Sequence, residues 1–365
     1  MFNDPLPDIF KINDAIEDKS SRSLIRVVSA IRPKRDDGRF KNPLVRASAF
    51  SAHELVVNLC NRICADRKCD ISDISDMLAD TFSYKDYSPT REWLSGDSDI
   101  PLMALETLTN MAAENNEMHE KNLLHKFPGY ICLRSPNTRE FTKLPLTLSD
   151  DLLYFIAVII GDGCLTDTVR GTRVKRRDYR ICLEVADKHL IRNVQFLFHK
   201  LFNLNVRVRR TKNGCWECTK RNKPLVRFLN RIFNLPIGVK AQNVSIPAVV
   251  RSLPTDCQIP FLTGILDTDL GLHNKSVGSN FASERFRDDL VELLQKLGID
   301  ATTLPTYFKN GIYAQHEIRI SKHSLPTLWR VVKAYPLKNL NRRIAIEKLL
   351  SGGSQARSTA QDMAY

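Results

Sequence analysis

The sequence contains the same apolar helix end twice, and this duplication constrains the fold more than any other feature. Residues 155–163 read Phe-Ile-Ala-Val-Ile-Ile-Gly-Asp-Gly, and residues 262–271 read Leu-Thr-Gly-Ile-Leu-Asp-Thr-Asp-Leu-Gly. Each run leads to an acid, Asp162 or Asp269, although the free carbonyls at a helix C-terminus already carry negative charge. Two acids placed so unfavourably at equivalent positions indicate a cation held between them.

Small residues recur four positions apart in both runs. Ala157 aligns with Gly264, and Gly161 aligns with Thr268. Residues four apart lie on one face of a helix, and small side chains on that face let two backbones approach closely. We therefore expect the two helices to pack along these faces, which brings the two acids together.

The regions around this duplication predict the domain organisation. Helical and strand-like stretches recur in the same order after each acid, so residues 149–254 and 255–350 are interpreted as two αββαββα repeats. One repeat cannot bury both faces of its sheet, so the pair is expected to form one pseudo-symmetric α+β domain. Residues 1–125 predict an all-α domain, residues 126–148 a linker or extended segment, and residues 351–365 a disordered tail.

The chain is basic, with 54 Lys and Arg against 41 Asp and Glu and a formal net charge of +13. Such an excess favours a polyanionic partner. Many of the cations cluster after the first acid, where alternate side chains of a strand share one face. The candidate nucleic-acid contacts in these clusters are Arg170, Arg173, Lys175, Arg177, Arg180, Arg207, Arg209 and Lys212.

Cysteine usage and missing targeting segments predict the cellular compartment. Nine cysteines without a compact disulfide spacing indicate a reducing, intracellular environment. The sequence has no run of about 18 apolar residues, so no membrane span is expected. The first residues also lack the basic and apolar regions of a secretory signal. We therefore expect a cytoplasmic, nucleoid-associated protein, and an organelle is left open as an alternative.

At the two acidic helix ends the chain resembles the LAGLIDADG homing endonucleases in their single-chain, two-motif form. The second run is the nearer match to the family motif, and residues 235–240 (Leu-Pro-Ile-Gly-Val-Lys) and 295–299 (Gln-Lys-Leu-Gly-Ile) resemble family segments outside the motif. The resemblance covers residues 145–350. It implies a monomer in which two antiparallel sheets form a saddle over double-stranded DNA.

The resemblance also implies a divalent cation, Mg²⁺ or another, at the base of the paired helices. Asp162 and Asp269 take the role of catalytic metal ligands, and the preceding residues Gly161 and Thr268 are included as candidate metal ligands. Hard oxygen ligands and retained waters favour Mg²⁺. The implied chemistry is phosphodiester hydrolysis, in which metal ions lower the pKa of bound water and stabilise the leaving oxygen.

Two lysines and two departures from the family pattern complete the predicted site. Lys240 matches a lysine that the family places beside one active site, and Lys338 is taken as the corresponding lysine of the second repeat. Leu270 stands where glycine usually follows the acid. The second hairpin, residues 270–283, is short, and Lys275 is its one Lys or Arg. Contacts with DNA are therefore expected to be asymmetric, with cleavage of one strand weakened.

Residues 70–113 resemble a helix-turn-helix of the lambda-repressor type. In this interpretation Arg91 lies early in the recognition helix, where such helices meet base edges. A helical packing or oligomerisation domain is the alternative for this region.

The leading functional hypothesis from sequence is a site-specific double-stranded DNA endonuclease. One alternative is a catalytically degenerate, DNA-binding transcriptional regulator that keeps the fold. The other is an RNA-binding intron maturase, because some members of the resembled family act on intron RNA.

Overall fold

The computed structural model of the chain describes most residues from 46 to 351. The described ranges are 46–47, 49–82, 90–97, 100–113, 130–134, 140–145, 147–170, 176–273, 276–309 and 313–351. Within them, no helix is long and apolar enough to cross a membrane. All nine cysteines are free thiols. The predicted tail, residues 351–365, lies outside the described residues except for Ser351.

In its described residues, the first part of the chain combines four helices with short strands. These elements are β1 (Arg46–Ala47), α1 (Ala49–Arg67), α2 (Ile71–Phe82), α3 (Thr90–Ser95), β2 (Ile100–Pro101) and α4 (Leu102–Ala113). Leu59, Ile63, Trp93 and Leu108 belong to its buried core. The expectation of an all-α domain is wrong in this respect, because strands β1 and β2 pair antiparallel. Strands of two residues are too short to leave a periodic pattern.

The segment predicted as a linker is folded into a hairpin. Strands β3 (Tyr130–Arg134) and β4 (Phe141–Pro145) pair antiparallel and join β1 and β2 in one sheet, in the order β2-β1-β3-β4. The hairpin is also bonded to the next unit, since Lys220 donates to Glu140 at 2.8 Å and Asn222 donates to Thr142 at 2.7 Å. The proline-rich and turn-rich flanks of the hairpin led to the linker interpretation.

The next unit begins with a helix that is buried on all sides. Helix α5 (Asp150–Gly161) starts at Ser149, whose hydroxyl accepts from the Leu152 amide, and it is buried from Leu152 through Ile160. A helix without a polar face belongs in the centre of a molecule. The elements that follow it are β5 (Gly163–Arg170), β6 (Arg176–Val185), α6 (Lys188–Phe202), β7 (Val208–Arg210), β8 (Trp216–Arg221) and α7 (Lys223–Ile232).

This unit forms an antiparallel sheet that helices cover on one face. The strand order is β5-β6-β8-β7. Helices α6 and α7 present their apolar sides to the sheet, where Phe155, Phe198 and Phe202 stack edge to face at 5.0–6.4 Å. Tyr179, Ile181 and Leu183 of β6 are buried, while the residues between them are not. The alternation leaves the opposite face of the sheet open.

A second unit follows the short helix α8 (Ala248–Arg251) and a 3₁₀ turn at Thr255–Gln258. Its sheet is antiparallel in the order β11-β13-β10-β9, and β12 pairs with β13. Its elements are α9 (Ile259–Thr268), β9 (Gly271–His273), β10 (Ser276–Phe281), α10 (Glu284–Lys296), β11 (Ala301–Thr303), β12 (Tyr307–Lys309), β13 (Tyr313–Ile320), a 3₁₀ turn at Lys322–Ser324, α11 (Leu325–Val332) and α12 (Leu340–Leu350). The protein is thus a mixture of helices and antiparallel sheets.

Candidate active site

Helices α5 and α9 pack so closely that glycine is required at their contact points. A Cβ placed on Gly161 would lie 2.5 Å from Thr268 Cβ, and one on Gly264 would lie 2.6 Å from Ala157 Cβ. Real Cβ atoms essentially never come within 3.0 Å of such neighbours. The predicted contact between the small-residue faces is therefore confirmed, and the C-terminal ends of the two helices lie side by side.

The two predicted acids follow these helix ends directly. Asp162 is the last residue bonded to α5, with its amide donating to Val158 O at 3.1 Å, and the Asp269 amide donates to Ile265 O at 2.9 Å. Asp269 Oδ2 lies 3.2 Å from the position of a Cβ on Gly161, the residue before Asp162. The Asp269 carboxylate thus stands beside the end of α5, and Asp162 lines a cleft together with Thr268 at the end of α9.

Burial makes both carboxylates harder to ionise, and the charge of Asp162 adds to this effect at Asp269. Burial raises the pKa of Asp269 to about 6, and the charge of Asp162 adds to this rise, while Lys240 and Arg342 oppose it. Desolvation also raises the pKa of Asp162, again against the effect of Arg342 and Lys240. Two carboxylates that share a site and cannot both ionise at low cost form a pocket suited to a cation.

Lys240 binds the end of the first helix. Its ammonium donates to Ile159 O at 3.2 Å, to Ile160 O at 2.5 Å and to Gly161 O. Burial lowers the pKa of Lys240, and the charges of Asp269 and then Asp162 oppose this. The lysine therefore satisfies three orphan carbonyls of α5 and also faces both acids.

Arg342 takes the same position at the end of the second helix. Its guanidinium donates to Leu266 O at 2.9 Å and to the carbonyls of Thr268 and Leu270. Burial lowers its pKa, against the charges of Asp162, Asp269 and Asp267. This arginine holds the chain at Leu270, the residue that directly follows Asp269.

Arg342 is a residue that the sequence analysis missed, although a signal was present. It lies in the first turn of α12, whose N-cap Asn339 accepts from the Arg342 amide at 3.2 Å. A cation at a helix N-terminus is electrostatically misplaced, as an acid is at a C-terminus. The electrostatic argument that identified the two acids, an unfavourable charge at a helix end, therefore also identifies Arg342.

Lys338 is placed differently from Lys240. Its ammonium lies 5.0 Å from the centre of the Tyr335 ring. Its side chain lines a cleft with Ser149 and Asp150, at the beginning of α5 and thus at the other end of that helix from Asp162. The structure therefore does not bring the Lys338 ammonium together with the two acids, although the Lys338 amide donates to Asp267 at 2.7 Å.

Asp267, two residues before Asp269, belongs to a buried hydrogen-bond network. Its carboxylate accepts from the Tyr154 hydroxyl at 2.6 Å and from the amides of Lys338 and Asn339 at 2.7 and 3.1 Å. Tyr154 is on α5 and Asp267 on α9, so the network links the two helices. The carboxylate oxygens of Asp267 are therefore already engaged in hydrogen bonds with groups of the protein.

The donor set around the acids suits a hard cation that keeps part of its water shell. Among the described residues, no group of three or more His, Cys, Asp or Glu side chains converges on a metal position. The oxygens on offer are two carboxylates and the carbonyls of Gly161 and Thr268, which also accept from Lys240 and Arg342 respectively. Mg²⁺ is typically bound by one or two carboxylates together with water and phosphate oxygens. These residues fit such an ion.

The predicted nucleic-acid contacts occupy several positions around the first sheet. Arg180 and Arg209 lie on its open face, and each is paired with an acid there: Arg180 with Asp178, and Arg209 with Glu217 at 3.0 Å. Arg207 and Lys212 are exposed outside the strands. Arg170 and Arg177 lie on β5 and β6, and Arg91 lies on α3, but their side chains are outside the described part of the structure. Arg173 and Lys175 are wholly outside it.

The corresponding face of the second sheet carries fewer cations in its described part. Arg319 and Glu317 are two apart on β13 and pair at 2.7 Å. Gly278 and Asn280 of β10 lie opposite them. Lys275 lies outside the described residues. In the described residues the second open face therefore carries fewer cations than the first, and the arginines of both faces are paired with acids.

The six-residue helix α3 packs against α1 in the region resembling a helix-turn-helix. Trp93 is buried, and the His53 ring lies 2.6 Å from Leu94 O. The stretch 83–89 before it lies outside the described residues. The helix-turn-helix interpretation of residues 70–113 stays a prediction.

Comparison with known proteins finds relatives and similar folds. No protein-family model matches the chain. Elongation factor 2 of Methanopyrus kandleri is 25% identical over 166 residues, which is 45% of this chain and 12% of that protein. A probable translation initiation factor IF-2 of Thermococcus kodakarensis is 27% identical over 173 residues, 46% of this chain and 14% of that protein. The chain thus spans about an eighth of the length of these curated relatives.

The similar solved structures are homing endonucleases. The crystal structure of I-DmoI in complex with DNA and Ca matches with a TM-score of 0.43 and 17% identity, over 54% of this chain and 97% of that one. I-DmoI E117A with its target DNA and Mn has a TM-score of 0.41 and 18% identity, over 52% and 96%. I-WcaI bound to its DNA recognition sequence has a TM-score of 0.35 and 14% identity, over 53% and 85%.

Proposed function

We propose that this chain is a site-specific endonuclease that cleaves double-stranded DNA with a divalent cation, Mg²⁺ in the first instance. In this proposal the two units are tandem αββαββα repeats that form a saddle over the duplex. The proposal rests on Asp162 and Asp269, which stand at two abutting helix ends. Each of these helix ends is bound by a basic side chain from elsewhere in the chain, Lys240 at one and Arg342 at the other. Both acids come from one chain, so a monomer suffices.

The chemistry follows from the groups around the two acids. Asp162, Asp269 and the carbonyls of Gly161 and Thr268 would hold the cation, which supplies Lewis acidity and a more acidic water when bound. Lys240 and Arg342 neutralise the negative helix ends and stand beside the position of a scissile phosphate. There they stabilise the charge that develops on phosphate oxygens.

The open faces of the two sheets supply the DNA contacts in this proposal. The formal net charge of +13 provides long-range attraction to the phosphate backbone. Polar and charged side chains alternate on the open strands, which is the arrangement by which a sheet reads base edges in the major groove. The first sheet contributes more of these contacts than the second.

The experiment that tests the proposal combines target selection with cleavage. A randomised duplex library is incubated with the full chain and Mg²⁺, and cut molecules are recovered and sequenced. We expect one preferred sequence and cleavage by the wild type only when a divalent cation is present. Cleavage should be lost in the Asp162→Asn and Asp269→Asn variants even with the cation. Asp256→Asn, a change of an exposed acid next to α9, is the matched control and should cleave normally. Cleavage that survives both Asn variants would refute the active site.

A second candidate function is a DNA-binding regulator that has lost cleavage. The observation favouring it is the weaker second half, where Leu270 is buried directly after Asp269 and the described open face is poor in cations. In the same experiment this alternative gives selective, metal-independent binding of a duplex without a cut in either strand.

A further inference from the structure

Two arginines face each other on the open face of the first sheet. Arg180 of β6 and Arg221 of β8 are directly opposed in the strand register. The neighbours of Arg180 on β6, Tyr179 and Ile181, are buried on the helix-covered side, so Arg180 projects to the other side. Like charges placed directly opposite each other destabilise a sheet unless something separates them.

One carboxylate holds this pair of arginines together. Asp178 Oδ2 accepts from Arg180 Nη2, and Asp178 Oδ1 lies 3.2 Å from Arg221 Nε. The Asp178 side chain is only 10% exposed, against 21% for Arg180 and 67% for Arg221. Asp178 thus lies beneath the two guanidiniums and fixes one edge of each. Arg180 Nε is buried and has no hydrogen-bond partner among the described residues, so it is the Nη groups of Arg180 that can meet a ligand on the open face.

We propose that Asp178 positions Arg180 and Arg221 to read two neighbouring guanines in the half of the target that the first sheet contacts. This inference rests on the proposed function. A guanine presents O6 and N7 in the major groove, and an arginine with one edge fixed can donate two parallel bonds to them. Facing residues on paired strands have Cβ atoms about 5 Å apart, and successive bases on one strand are spaced about 3.4 Å along the axis. One arginine per adjacent base pair is therefore a geometric fit.

The carboxylate between the arginines argues against a phosphate clamp. An acid held between two guanidiniums reduces their attraction for a phosphate, which depends on net charge. It improves base recognition instead, because it limits the rotation of both side chains and orients their remaining donors. Asp178 is accordingly a positioning residue for specificity and has no contact with the target in this proposal.

The test is a binding selection from a randomised duplex library with the full chain in EDTA. The wild type should enrich two adjacent guanines in one half of the site, each preferred about ten-fold over other bases. Arg221→Lys keeps the charge on an exposed side chain and should lose the preference at one of the two positions. Asp178→Asn should weaken the preference at both positions together. Its thermal melting curve shows whether the variant is folded.

Glu217→Gln is the matched control, because Glu217 is an acid on the same face that pairs with Arg209 instead. It changes the net charge of the face as Asp178→Asn does, and it should leave the guanine preference at both positions in place. Selection without adjacent guanines, or an Arg221→Lys variant with wild-type preference, would overturn the inference while the proposed function stands. A wild-type chain that selects no duplex at all would defeat both.

Discussion

At the level of single residues, two acids of the second motif have different surroundings although they are two positions apart. The Asp267 carboxylate accepts from one hydroxyl and two backbone amides. The Asp269 carboxylate faces Asp162 and two cations. Burial raises the pKa of each to about 6. Hydrogen bonds therefore assign Asp267 to the structure of the helix pair and leave Asp269 available to a ligand.

The raised pKa of Asp269 leads to a prediction about stability. An acid with a folded-state pKa of about 6 and an unfolded value near 3.9 destabilises the fold when ionised. This cost is fully present above pH 6 and disappears as the pH falls toward 4. Asp269→Asn is therefore expected to raise the free energy of unfolding by about 1–3 kcal/mol at pH 8 and to change it little at pH 4. Denaturant unfolding in EDTA at both pH values measures the difference.

The exposed acid Asp256 supplies the comparison for this measurement. Asp256→Asn should leave the free energy of unfolding unchanged at both pH values. An Asp269→Asn variant less stable than the wild type at pH 8 would show that Lys240 and Arg342 compensate fully for the burial of the carboxylate.

At the level of elements, the contact between α5 and α9 sets the geometry of the site. Gly163 is constrained by α5 itself, since a Cβ there would lie 2.8 Å from Ile159 Cα. It does not have a positive φ, so close approach rather than a left-handed turn explains the glycine after Asp162. A side chain added at Gly161 or Gly264, by contrast, must push the two helices apart.

Gly161→Ala tests how tightly the two helices are matched. The added methyl group would lie 2.5 Å from Thr268 Cβ, and we expect a loss of about 1–3 kcal/mol in the free energy of unfolding from overpacking. The double variant Gly161→Ala with Thr268→Gly lacks the Thr268 side chain that the new methyl group would meet. It should therefore recover part of the lost unfolding free energy. Urea unfolding of the four proteins of this cycle gives the coupling energy. If the losses in unfolding free energy of the two single variants simply add in the double variant, the two helices move apart at no cost and their close contact is not a constraint.

At the level of the whole molecule, the basic side chains that bind the two helix ends come from different parts of the chain. Lys240 lies in the segment between the two units, and Arg342 lies on α12, beyond α11 of the second unit. Helix α12 is fixed to the first unit as well, because Asn341 donates to Asp187 at 3.0 Å. The candidate site is therefore assembled from both units and from the segment between them.

This arrangement predicts strand-specific defects. If Lys240 and Arg342 each stabilise a different scissile phosphate, each variant should slow the cleavage of one DNA strand by at least ten-fold. Lys240→Met and Arg342→Met should then affect opposite strands. The measurement is the accumulation of nicked product from an end-labelled target duplex. Arg343→Met is the matched control, since Arg343 is the exposed neighbour of Arg342 and pairs with Glu347. Equal slowing of both strands by each variant would contradict separate roles for the two cations.

Much of this site was predictable from local sequence. The small residues of both helices and the acids that follow them lie in short motifs whose spacing determines which residues share a helix face, whereas Lys240 was predicted from the family resemblance. Lys338 and Arg342 show the limit of that reasoning. They are four residues apart, and whether the ammonium or the guanidinium reaches Asp162 and Asp269 depends on where α12 begins and how it packs.

The sequence by itself determined the duplicated acidic helix ends, their close packing and the basic character of the chain, because these follow from residue type and helical period. Tertiary structure alone decided that Tyr130–Arg134 and Phe141–Pro145 pair in a shared sheet, that Arg342 binds the second helix end, and that Asp178 joins Arg180 to Arg221. Each of these depends on contacts between segments far apart in the chain or on adjacent strands. Strand register and helix docking set such contacts, and no local pattern encodes them.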